Sequence, residues 1–158
     1  MNRNWIWWLG LLLFAAGFVY LRQPSSVALA QSPKPVTVTR LFTGPDGLTH
    51  AEEIELKLLR GTPLNQASEM FSVKGAEVHR IPAGNVQDWH VAPRRQLVIT
   101  LAGRGQVEVA GGKKIAFPPG KIQLAEDLTG KGHKTSALGS EDRITLQIPL
   151  DGPVGSLK

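Results

Sequence analysis

The sequence contains no cysteine. That excludes disulfide cross-links, thiol catalysis and anchoring through a lipid-modified cysteine. Aromatic residues are scarce at 6%, and three of the four tryptophans and the single tyrosine fall within the first thirty positions. Trp89 is the only tryptophan of the remainder. No charge run is long: the largest basic clusters are the pairs Arg94-Arg95 and Lys113-Lys114. Nucleic-acid binding concentrates Lys and Arg on one face, so no nucleic-acid partner is expected. A Ser-His-Asp triad, a phosphate-binding loop and a paired-carboxylate site are missing as well. Glu52 and Glu53 are adjacent, so on a strand they face opposite ways and cannot cooperate.

One long apolar run is present. Trp5 to Leu21 carries no charge, follows the basic opening Met1-Asn-Arg-Asn4, and precedes Arg22 and the triplet Ala28-Leu29-Ala30. Small residues at the first and third positions of that triplet suit a signal peptidase, so residues 1–30 read as a secretory signal cleaved before Gln31. The seventeen apolar residues from Trp5 to Leu21 also reach the lower limit for a spanning helix, of about 17 residues, which leaves an uncleaved anchor as the alternative. In both cases the domain is expected outside the cytoplasm, periplasmic or extracellular, with any membrane contact confined to this segment.

Residues 31–35 read as a linker, 36–150 as one domain and 151–158 as a tail. Of 158 residues, 17 are Gly and 11 are Pro, and most of them punctuate short Val-, Ile-, Thr- and Leu-rich segments every eight to twelve positions, the pattern of a β-sandwich or barrel. Strands are expected at Val36–Thr43, Glu52–Leu59, Ala76–Ile81, Arg95–Leu101, Gln106–Ala110, Lys114–Phe117, Ile122–Ala125, Lys134–Ala137 and Arg143–Ile148. Gly111-Gly112 is expected to close a two-residue hairpin, because both glycines accept positive φ. Gly61–Met70 is the one stretch that suggests a helical turn.

The segment from Gly84 to Gly103, GNVQDWHVAPRRQLVITLAG, resembles the first motif of the cupin superfamily. Gly84, His90 and Gly103 fall on the family's positions, while Ala92 takes the place of a second His and Gln96 the place of a Glu. Downstream, PPGKIQLAEDLTGKGHKTSA resembles the second motif. Gly120, Gly130 and His133 keep their places, two residues are added between Gly120 and Gly130, and Leu128 and Ala137 replace the family's Pro and Asn. The resemblance, to RmlC-like small single-domain cupins, covers about 55 residues. It implies an all-β, single-domain jelly-roll barrel, here preceded by the apolar signal helix.

In cupins these positions face the barrel interior and hold a divalent transition metal. Carried over, the ligands are His90, Gln96 and His133, a degenerate set lacking its carboxylate unless Glu126 or Asp127 swings in. Imidazole suits such ions, but a site without an acid leaves their charge uncompensated. Otherwise His90 and His133 serve as hydrogen-bonding groups of a ligand pocket. If the strand stays extended from His90 onward, Arg94 shares their face and offers a guanidinium to a carboxylate or phosphate. Pro93 could instead break that alternation and reverse which arginine faces inward. Trp89 is placed as a stacking wall or as core, His79 as a possible pocket residue, and His50 as an exposed loop residue.

The leading expectation is an exported cupin-like domain binding a small organic, anionic ligand through His90, Arg94, Gln96, His133 and Trp89, with the reaction undefined. A metal-dependent cupin enzyme, an oxygenase, isomerase or lyase using His90 and His133, is the first alternative. A structural module with a plugged interior, forming a homodimer through its sheet edges, is the second.

Overall fold

The computed structural model describes residues 34–152. The signal segment, residues 31–33 of the linker and residues 153–158 of the tail lie outside the described residues. The described chain is all-β. Its strands are β1 (Thr37–Thr43), β2 (Thr49–Glu55), β3 (Arg60–Thr62), β4 (Asn65–Ala67), β5 (Glu77–Ile81), β6 (Val86–His90), β7 (Gln96–Ala102), β8 (Arg104–Glu108), β9 (Lys114–Phe117), β10 (Ile122–Glu126), β11 (His133–Leu138) and β12 (Arg143–Pro149).

Six strands form one sheet in the order β2-β1-β10-β7-β12-β5, four form a second in the order β6-β11-β8-β9, and β3 pairs only with β4. The β3–β4 hairpin occupies the stretch where the sequence suggests a helical turn. Its three-residue strands are exposed throughout, so no amphipathic periodicity marks them. Between β8 and β9 the chain makes a 3-10 turn at Ala110–Gly112, with both Gly111 and Gly112 at φ 76°. The expected hairpin is there, but Val109 N–H bonds to Lys113 O across a longer loop than two residues.

Strand alternation sorts the six-stranded sheet into two unlike faces. Val38, Leu97, Leu124 and Leu150 cluster on one face, against Leu56 and Phe71 from the segment that holds the β3–β4 hairpin. The opposite face carries Gln123 and Ala125 on β10, Gln96 and Val98 on β7, and Arg143, Thr145 and Gln147 on β12, all lining an internal cavity. Register confirms the row: Gln123 pairs with Val98, and Val98 with Gln147. A second apolar cluster, Leu41, Val107, Val109 and Phe117, joins residues of the two sheets. The larger sheet thus turns much of its polar face inward, and aliphatic packing on its other face is completed by the long β2–β5 connection.

Candidate functional site

The cavity has a volume of about 230 Å³ and is lined from both sheets. His90 ends β6 and His133 begins β11, and the two are register partners. Gly132 makes that approach possible: at φ 75° it adopts a conformation L side chains avoid, and a Cβ there would collide with the backbone carbonyl of His90. The imidazole rings lie 4.5 Å apart between centroids and are tilted by 56°.

Each ring is held by its Nδ1. His90 Nδ1–H donates to the carbonyl of Asp88 at 2.6 Å, since a carbonyl can only accept. His133 Nδ1 meets Asp127 Oδ2 at 2.6 Å, and the same oxygen accepts from Thr49 Oγ1 at 3.0 Å. Asp127 is fully buried and its Oδ1 has no partner. Both rings keep Nε2 as the free nitrogen.

Gln96 lines the cavity, but its Oε1 accepts from Arg94 Nε at 3.1 Å. Arg94 itself is not part of the lining. Its Nη2 donates to Glu77 Oε2 at 2.7 Å, on a half-exposed side chain. The reason is local: β6 stops at His90 and β7 starts at Gln96, with a bend over residues 93–95, so Pro93 ends the alternation that places Arg94 inward. Trp89 does not line the cavity either; it stands beneath Lys131 Nζ, which lies 4.3 Å from its ring centre. His79 does line it, with Nε2 3.0 Å from Glu77 Oε2. His50 is exposed, on β2 rather than in a loop, and contacts Asp46. Glu126 is turned away, engaged by Arg40 and Arg95, while Asp127 reaches the cavity only through His133.

The charge inside comes from Arg143. The residue is 3% exposed and lines the cavity. Its Nη2 donates to Thr100 Oγ1 at 3.1 Å, its Nε has no partner, and it takes part in no ion pair among the described residues. Burial pushes its basicity below the ordinary arginine value, although a guanidinium stays charged. Thr145 Oγ1, also buried and on the lining, is unpartnered too. No acid lines the cavity among the described residues. The sequence reading missed Arg143. Its signal was the alternation in RITLQIP, which puts Arg143, Thr145 and Gln147 on one face.

The donor set does not fit the divalent metal that the cupin resemblance implies. The Nε2 atoms of His90 and His133 are available, but His79 Nε2 faces Glu77, Gln96 Oε1 is engaged, and no group of three His, Asp or Glu able to hold a metal occurs among the described residues. An uncompensated guanidinium in the same cavity further disfavours a second cation.

Solved structures similar to this chain include three cupins. A cupin-2 domain protein from Shewanella frigidimarina shares 13% identity over 60% of this chain and 78% of its own, with a TM-score of 0.36. An RmlC-like cupin from Desulfovibrio desulfuricans shares 14% over 77% and 92%, with a TM-score of 0.37. The Cnp3 cupin domain of Schizosaccharomyces pombe shares 14% over 76% and 86%, with a TM-score of 0.40. No protein-family model and no curated protein matches the chain.

Proposed function

We propose that this chain is an exported cupin-like barrel that binds a small organic anion in its interior, with Arg143 as the counter-charge. The buried guanidinium without an acid partner carries this reading. Removing a charge from water costs several kcal/mol or more unless it is paired, and here the missing partner is an anion that the cavity admits. Nε and Nη atoms of one guanidinium engage a carboxylate or phosphate through parallel hydrogen bonds, and Thr145 Oγ1 adds a donor beside them. A volume of about 230 Å³ lies below the usual range for drug-sized ligands, about 300–1,000 Å³, so the occupant is small. The same volume speaks against an interior plugged by side chains. Export rests on the leader sequence alone.

Calorimetric titration of the purified protein with carboxylates of two to six carbons, and with the matching alcohols, tests the proposal. Carboxylates bind, alcohols do not, and Arg143→Met abolishes the difference. Equal behaviour of acids and alcohols, or unchanged acid binding in Arg143→Met, overturns it.

A further inference from the structure

The cavity has two chemically different ends. Arg143 lies against Gly105, whose register partner on β11 is Ala137. His133 begins the same strand, so the imidazole pair and the guanidinium sit four residues apart along it. At about 3.3 Å per residue that is ~13 Å. The facing sheet repeats the interval: Gln96, at the imidazole end, and Thr100, which accepts from Arg143, are four residues apart on β7.

What each end accepts follows from its hydrogen bonds. Arg143 offers only donors. His90 and His133 both commit Nδ1–H elsewhere, so a neutral ring presents Nε2 as an acceptor. Between the ends lie Gln87, Gln123, Gln147 and Thr135, neutral groups that both donate and accept. With no acid on the lining, nothing there compensates an ammonium group, so the donor that meets the imidazoles is a hydroxyl.

We infer that the ligand is a hydroxycarboxylate, its carboxylate on Arg143 and a hydroxyl at its far end whose single proton is shared between the Nε2 atoms of His90 and His133 in a three-centre bond. This rests on the anion-binding reading above and adds the second end. If the two polar ends keep the backbone offset of the residues that bear them, two hydrogen bonds of about 2.9 Å leave ~7 Å between the ligand's terminal oxygens. Single bonds of about 1.5 Å advance ~1.25 Å each along an extended chain, so about five carbons between the two oxygens span that distance, and six do so with one gauche bend. The glutamines and Thr135 along the way suit additional hydroxyls, as on a sugar acid.

The probes are hexanoate, 6-hydroxyhexanoate and 1,6-hexanediol, titrated calorimetrically into the wild type, His90→Ala and His133→Ala, with circular dichroism reporting the fold of each. The expected result is at least tenfold tighter binding of 6-hydroxyhexanoate than of hexanoate in the wild type. That advantage falls to within twofold in either variant, and His90→Ala serves if His133→Ala, which leaves the buried Asp127 with Thr49 as its one partner, fails to fold. The diol does not bind. Hexanoate and 6-hydroxyhexanoate binding equally well overturns the hydroxyl assignment while the anion reading stands. An advantage that survives in a folded His90→Ala overturns it too. If the diol binds as well as the acids, or neither acid binds, the anion reading falls with it.

Discussion

Arg143 lays its guanidinium over Gly105 at a point on β8 where any side chain would obstruct it. A Cβ built there lies 2.9 Å from Nη1 and collides with Cζ and Nε. Gly105 is not among the positive-φ glycines, so its backbone tolerates other residues. The glycine is needed for space, and the space is filled by the one uncompensated charge of the cavity.

Gly105→Ala is therefore expected to displace the guanidinium, the movable end of a long side chain, at a stability cost of about 1 kcal/mol, and to weaken carboxylate binding at least tenfold. In an Arg143→Met background most of that stability cost disappears, because no guanidinium then lies over Gly105. Urea denaturation of the two single variants and the double variant measures the coupling. Strictly additive costs would contradict the packing of Arg143 on Gly105.

Arg143→Met itself is expected to leave the melting temperature unchanged or raise it by several degrees while carboxylate binding is lost. A buried cation with an unpartnered Nε is held against its own solvation, and an apolar chain of similar length removes that penalty. Differential scanning calorimetry without ligand decides the point, and a large drop in melting temperature would show that the guanidinium is structural.

Asp127 joins Thr49 on β2 to His133 on β11. Asp127→Ala leaves the Thr49 hydroxyl and His133 Nδ1–H without their acceptor in a buried setting, a loss of about 2–4 kcal/mol. Thr49→Val removes one neutral hydrogen bond and is expected to cost about 1 kcal/mol. Chemical denaturation should preserve that order.

Glu53 provides a pH test. Burial alone raises its carboxyl, but hydrogen bonds from Lys121 at 2.8 Å and from Thr39 outweigh it and hold the group below its ordinary value of 4.5. A carboxyl depressed by folding stabilises the protein above its unfolded pKa, and the contribution fades as the pH falls through the folded value. Wild type should exceed Glu53→Gln in stability at neutral pH, with the gap closing below about pH 4. Melting curves across that range would show a constant gap if the network contributed nothing.

For metal, elemental analysis after incubation with zinc, manganese or ferrous iron and desalting is expected to give far less than one ion per chain. Two imidazoles without a carboxylate hold a dication weakly. A stoichiometric ion lost in both His90→Ala and His133→Ala would reinstate the metal-dependent reading.

Much of the strand plan was legible because turn glycines and alternating aliphatics act locally. β1, β5, β7, β9, β10, β11 and β12 lie within a residue or so of their expected bounds. β3, β4 and β6 were not among the expected strands, since short and largely exposed strands leave little periodic trace, while β2 runs Thr49–Glu55 instead of Glu52–Leu59 because its pairing with β1 covers that span, and β8 runs Arg104–Glu108 instead of Gln106–Ala110. The meeting of His90 with His133 was implied by the resemblance of the two motifs to those of cupins. The position of Arg94 could not: whether Pro93 reversed the alternation depended on where β6 ended and β7 began.

From the sequence alone came an all-β domain and its turns, because backbone preference and side-chain period are properties of neighbours along the chain, while the pairing of His90 with His133 came from the resemblance to the cupin motifs. Only the tertiary structure decided which face of each strand looks inward. In β12 the choice sends Arg143, Thr145 and Gln147 to the cavity and Ile148 to the covered outer face. Alternation defines two faces without naming the inner one. That is settled by what packs on the other side, here Leu56 and Phe71 from a connection far away in the chain.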